Sequence, residues 1–130
     1  MLDLESQYLL FRHATADESF DAGQVVFEEG DVGDCMYLVK SGRVRLDLDG
    51  EPLETVEPGG LFGEMALVDG SVRSARALAV EPVLLVPIGL KRFKFLIQAA
   101  PDFSLTVMRV MAERLRTSNE RLREAAGATG

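Results

Sequence analysis

Hydrophobic and polar positions along this chain follow two different periods. From Phe20 to Pro87, short apolar runs are broken by turn residues. Val25-Val26-Phe27 leads into Glu28-Glu29-Gly30-Asp31, and Met36-Tyr37-Leu38-Val39 into Lys40-Ser41-Gly42. Val44-Arg45-Leu46-Asp47-Leu48 alternates apolar and polar with period two, then meets Asp49-Gly50. That pair marks a two-residue hairpin, whose central residues need positive backbone dihedrals. Leu53–Val56, Ala75–Val80 and Val83–Val86 complete the set. Many short strands at this spacing predict an antiparallel jelly-roll or barrel.

After residue 88 the period becomes helical. Leu90–Ala99 puts Leu90, Phe93 and Ile97 on one face, with Lys91, Arg92 and Lys94 off it. Pro101 and Asp102 suit the start of a second helix, the first by its fixed dihedral and the second by its charge. That helix is expected to run to about Ala126, where Gly127 and Gly130 stop it. Along it Met108, Met111, Leu115, Ser118, Leu122 and Ala125 recur in steps of three and four. Such an a/d stripe fits a partner helix, and a homodimer through the C-terminal helix is the expectation. The alternative is that the stripe packs on its own barrel. The fold expected is mostly β with flanking α. It is one domain over 1–130, with a jelly-roll at 20–88 and C-terminal helices at 89–126. Leu9-Leu10-Phe11-Arg12-His13 reads as a lead-in joined to the barrel by a short Thr15–Ser19 segment.

Composition narrows the function classes. At 130 residues and 47% hydrophobic, the chain suits one globular domain with a real core. No apolar run approaches the roughly 18 residues of a membrane span, and the acidic N-terminus lacks a signal-peptide pattern. The single cysteine, Cys35, cannot form an internal disulfide, so a reducing cytoplasmic setting is expected. Met1 reads as the start of a small protein complete in itself. The net charge of −7 is uneven: residues 1–70 hold 16 acidic and 4 basic side chains, residues 71–130 hold 5 and 10. The acidic half argues against direct nucleic-acid binding, and the basic side chains of the last helix read as a solvated face.

The richest stretch is Gly63-Glu64-Met65-Ala66-Leu67-Val68-Asp69-Gly70-Ser71-Val72-Arg73-Ser74-Ala75. Gly63 permits close backbone approach or a positive dihedral. Glu64–Leu67 is long enough for one helical turn, whose free N–H groups point at an anion. Glu64 can only accept hydrogen bonds, as a sugar diol requires. Arg73 offers a planar fork for two phosphate oxygens, and Ser74 adds a hydroxyl beside it. Alternatively, Glu64 and Arg73 simply pair with each other on a loop.

Phe62-Gly63-Glu64-Met65-Ala66-Leu67 followed by Arg73-Ser74-Ala75 resembles the phosphate-binding cassette of the cyclic nucleotide-binding domains. Val72 stands where many of those domains have proline. Ala22-Gly23-Gln24-Val25-Val26-Phe27, Glu29-Gly30-Asp31 and Met36 through Gly42 also match the family's strand phrases. The resemblance covers roughly residues 20–125. It implies a regulatory sensor in which Arg73, Ser74 and Ala75, with the backbone of Met65, Ala66 and Leu67, take a cyclic phosphate. Gly63 opens the turn and Glu64 accepts from the ribose 2′-hydroxyl. Leu46, Leu53, Val56 and Leu61 are candidates for an apolar wall around the base. Ser118 and Asn119, from either protomer, match two polar side chains that reach the purine. Arg114 lies one turn before them, where it can reach Glu64. The implied ligand is cAMP, with cGMP as the alternative, and no cofactor is implied; a cyclic dinucleotide needs more room and a second phosphate clamp. Binding would be read out through the position of the C-terminal helix by a downstream protein partner that the sequence does not identify.

Other readings fare worse. The full-length activators of this family append a helix-turn-helix, and these 130 residues hold none, so a truncated transcription-regulator sensor is one alternative. A dimerisation module with an unused pocket is another. An enzyme is not expected: His13 is the sole histidine, too few for a metal-dependent jelly-roll enzyme. Cys35, between Asp34 and Met36, reads as a packed structural cysteine rather than an activated one. Ligands for haem or an iron–sulfur cluster are missing, and Tyr8, Tyr37 and the phenylalanines form no stacking array for single strands.

Overall fold

A computed structural model describes residues 17–129. The expected lead-in at 9–13, Thr15 and Ala16 of its junction to the barrel, and Tyr8 lie outside the described residues. Among the described residues, eight strands form two four-stranded sheets. The first contains β1 (Glu18–Phe20), β8 (Val83–Gly89), β3 (Cys35–Ser41) and β6 (Leu61–Phe62), in that spatial order. The second contains β2 (Val25–Phe27), β7 (Arg76–Ala79), β4 (Val44–Leu48) and β5 (Glu51–Val56). Every pairing is antiparallel, as the jelly-roll expectation requires.

The sheets close on a shared core that includes Phe27, Tyr37, Val39, Val44, Phe62, Ala77 and Leu85. The first sheet is buried on its other face as well. Met36 and Leu38 of β3, with Val86 and Ile88 of β8, point away from the sandwich onto helices α2 (Leu90–Ala99) and α3 (Pro101–Thr129). Two buried faces explain why β3 and β8 read as nearly unbroken apolar runs, whereas β4, which carries Arg45 between Val44 and Leu46, alternates. The Asp49-Gly50 hairpin forms as expected, with φ of 52° and 80°. On edge strand β5, Leu46 pairs with Glu54 and Asp47 with Pro52, so Leu53 is a bulge; the edge tolerates Pro52 because no outer strand needs its missing N–H.

Four local expectations are corrected. Strands β1 and β6 form where periodicity gave no signal, because each is two or three residues long and is held by a neighbour. On α2 the inward side is Leu96, buried, and Phe93, half-buried, while Leu90 and Ile97 are exposed. Apolar residues at 90, 93, 95, 96 and 97 cover most of that helix's circumference, so period alone cannot choose the face. The strand expected at Ala75–Val80 is Arg76–Ala79, since Ala75 still belongs to the turn after the cassette. Helix α3 also passes through Gly127, which has no positive φ and therefore no helix-ending turn.

Helix α3 packs on the barrel through Phe103 and Val107, with Met111 half-buried against the same cluster. Beyond Arg114 the described side chains are exposed, Leu115 at 63% and Leu122 at 69%, although Leu115 and Ser118 still face the barrel across a cavity. No helix among the described residues is long and apolar enough to cross a membrane.

Candidate functional site

A six-residue helix, α1 (Glu64–Asp69), starts directly off β6. Gly63 precedes it in the left-handed region at φ 78°, and Gly70 ends it at φ 71° with its N–H bonded to Ala66 O. Both glycines are required by dihedral, since other residues enter that region only with strain. The return strand is pinned by backbone pairing: Gly30 N–H donates to Arg73 O at 2.8 Å, and Arg73 N–H to Asp31 O at 2.8 Å. Val72 lies opposite Val32 in this bridge, so backbone pairing holds the loop without a proline at that position.

Arg73 is 5% exposed, yet it has no carboxylate partner among the described residues. Its Nη1 donates to Gly63 O at 3.0 Å, and its Nη2 lies 3.9 Å from Cys35 Sγ. The guanidinium stacks 4.2 Å over the Phe27 ring and 5.9 Å from that of Tyr37. Burial pushes the Tyr37 phenol well above its ordinary range, with the Cys35 thiol beside it adding to the shift, so the ring under the cation stays neutral. Cation–π contact offsets only part of the cost of burying this charge without a counter-ion. Two glycines make the space. A Cβ at Gly33 would sit 2.3 Å from Arg73 Nε, and one at Gly63 would sit 2.8 Å from Nη1.

Gly33 was not legible as a site residue, because its contribution is the absence of a side chain. Gly33→Ala is therefore expected to displace the Arg73 head and to weaken nucleotide binding about tenfold or more, with the melting temperature within a few degrees of the parent. Calorimetric titration alongside a thermal melt checks this, and unchanged affinity would show that the arginine has room to spare.

Glu64 is 2% exposed and paired, with Arg114 rather than Arg73. Arg114 Nη1 donates to Glu64 Oε1 at 2.6 Å, Nε to Glu54 Oε1 at 2.7 Å and Nη2 to Leu61 O at 2.7 Å. Burial works against the charge on this arginine, but the Glu64 and Glu54 carboxylates outweigh it and leave its pKa above the ordinary value. One side chain of α3 thus ties together β5, β6 and α1. About two turns further on, Arg121 Nη2 donates to Pro52 O at 2.8 Å.

Between sheet two, the cassette and α3 lies a cavity of about 560 Å³, within the usual range for small-molecule sites. Gly63, Glu64, Met65, Ala66, Arg73, Ser74 and Ala75 line one side of it. Leu46, Leu53, Val56 and Leu61 line the apolar side, and Arg114 and Ser118 close it from the helix. Two of the expected residues do not line it. The Leu67 side chain is buried in the core between sheet one and the helices, so only its backbone belongs to the cassette turn. Asn119 is exposed outside the cavity of a single chain. Lining residues that sequence reasoning missed include Phe27, Glu54 and Thr117. For Glu54 the sequence offered no distinguishing signal, since Glu51 and Glu57 flank it at equal spacing.

A family model described as the cyclic nucleotide-binding domain matches residues 17–100. The chain belongs to that family. It is 38% identical over 105 residues to the Cyclic AMP receptor protein of Thermus thermophilus, covering 77% of this chain and 49% of that protein. It is 36% identical over 85 residues to the cGMP-dependent protein kinase of Toxoplasma gondii, covering 65% of this chain and 9% of the kinase. The crystal structure of the Thermus thermophilus Catabolite Activator Protein superposes with a TM-score of 0.80 at 33% identity, over 96% of this chain and 61% of that one. This cyclic nucleotide-binding domain therefore spans about half the length of its Thermus relative.

Proposed function

We propose that this domain is a sensor for a cyclic purine nucleotide, with cAMP as the preferred ligand, and that it signals through the position of α3. The observation that carries the reading is the buried, carboxylate-free guanidinium of Arg73 on the wall of a cavity that also holds Glu64. A cyclic phosphate is the missing counter-ion for the arginine. Ser74 and the N–H groups at the start of α1 complete the anion site, and Glu64 accepts from the ribose 2′-hydroxyl while Arg114 holds it in place. The apolar wall of Leu46, Leu53, Val56 and Leu61 takes the base, and Ser118 caps it. Arg114 joins the sugar-binding carboxylate to α3, so any change at Glu64 is felt by the helix. Such coupling operates only where the ligand favours one helix position over another.

Titration of nucleotide-stripped protein with cAMP and then cGMP tests this directly. One site per chain at micromolar affinity or tighter, with cAMP ahead, is the expected result. No heat and no thermal shift with either nucleotide would overturn it and leave an interaction module with an unused cavity.

Dimerisation is the second part of the proposal. Met108, Leu115 and Leu122 expose an apolar stripe on α3, and a parallel partner helix would cover it and bring the partner's copy of Asn119 toward the cavity. Leu115→Glu is expected to shift the sedimenting species from dimer to monomer without unfolding the barrel. A parent that already sediments as a monomer at high micromolar concentration would remove this part.

A further inference from the structure

Outside the residues given a ligand role, one reactive group touches the arginine of the cavity. Cys35 opens β3, is half-buried, and has its Sγ 3.9 Å from Arg73 Nη2. Nη1 of that arginine already donates to Gly63 O, and no carboxylate among the described residues reaches it. The sulfur of a thiol is a weak acceptor, so Nη2 is in effect a buried donor still short of a partner. The head cannot easily retreat from the sulfur, because Phe27 lies under it and the backbone at Gly33 and Gly63 closes on its sides. Cys35 is absent from the cavity lining, so chemistry at its sulfur acts from behind the arginine and leaves the ligand space open.

We propose that Cys35 is a peroxide-sensitive modification site whose oxidation withdraws Arg73 from the ligand. The sulfur, as thiolate, attacks one oxygen of hydrogen peroxide. An S–O bond forms and the O–O bond breaks. The departing hydroxide takes up the proton the thiol gave up and leaves as water. Sulfur is oxidised by two electrons to the sulfenic acid and the peroxide is reduced. The new oxygen is a far stronger acceptor than the thiol and sits where Nη2 already points, so it holds that donor in a charge-assisted bond. A cyclic phosphate then meets an arginine with one arm engaged. The consequence for affinity rests on the nucleotide reading above; the chemistry at Cys35 does not.

The test uses the full chain, reduced and then treated with hydrogen peroxide, with dimedone and mass spectrometry to read sulfenic acid at Cys35. cAMP is titrated before oxidation, after it, and after dithiothreitol. The expected result is a dimedone adduct on Cys35, an affinity loss of at least tenfold, and recovery with dithiothreitol. Cys35→Ala and Cys35→Ser should bind cAMP like the untreated parent and keep that affinity through peroxide, which separates this sulfur from oxidation of Met65 in the cavity wall. A missing adduct, an adduct with unchanged affinity, or a loss shared by the cysteine variants would overturn the proposal. Dimedone labelling is also compared between the parent and Arg73→Gln, checked for folding by circular dichroism. Slower labelling without the guanidinium supports the contact, and equal rates overturn it, whether or not cAMP binds. A parent that gives no heat with cAMP before oxidation counts against the nucleotide reading alone, and the labelling rates still decide the role of Arg73 at the sulfur.

Discussion

Arg73→Ala is expected to abolish measurable cyclic nucleotide binding while leaving the domain folded. The guanidinium is proposed to give the cyclic phosphate a two-pronged, charge-assisted contact, and each such hydrogen bond is worth roughly 1.5–3 kcal/mol. Losing both weakens binding by about a hundredfold or more, which takes a micromolar ligand out of the range of ordinary titration. Stability responds differently. Arg73 has no carboxylate partner to orphan among the described residues, and it gives up one bond to Gly63 O and a cation–π contact with Phe27. Those contacts are together worth about 1–3 kcal/mol, and removal of a buried unpaired charge offsets part of that loss. The variant should therefore melt near the parent and bind nothing. Arg73→Lys keeps the charge but not the planar fork and should fall between the two. If Arg73→Ala binds cAMP like the parent, the cavity has been assigned to the wrong ligand.

Arg114→Met is expected to show a large loss of stability instead. It leaves Glu64, 2% exposed, without its cation, and frees Glu54 and Leu61 O at once. Breaking a buried ion pair from one side costs about 3–5 kcal/mol, because the remaining charge stays buried and unpaired. In a chain of this size that lowers the melting temperature by roughly 10–20 °C. The double variant Arg114→Met, Glu64→Gln removes the stranded charge and should recover much of the loss. A double-mutant cycle read by thermal or denaturant melts then gives a coupling well above that of a surface pair. If Arg114→Met melts within a degree or two of the parent, the contact is incidental and the proposed route from Glu64 to α3 goes with it.

The cassette was legible because its signals are local. Gly63 and Gly70 are needed for the dihedrals that start and stop α1, and Glu64 and Arg73 take their places through a fixed number of residues between them. The Asp49-Gly50 hairpin was legible for the same reason. The partner of Arg73 was not, and that of Glu64 came only from the family resemblance, which put Arg114 within its reach. The sequence allowed Glu64 to pair with Arg73 nine residues away; in the fold it pairs with Arg114, 50 residues away, and Arg73 turns toward Cys35, 38 residues back. Neither contact has a period or a spacing that a one-dimensional pattern could show.

By itself, then, the sequence determined which segments turn, where short strands give way to helices, and which residues form the glycine-bounded cassette, since each depends on dihedral preference or on the period of apolar side chains. Tertiary structure decided which charges meet and which face of α2 is covered. It also decided that Gly33 must lack a side chain and that the stripe of α3 past Arg114 stays exposed. These follow from packing, where a side chain's neighbours are set by the closure of two sheets and a helix around it, and only the assembled fold specifies that closure.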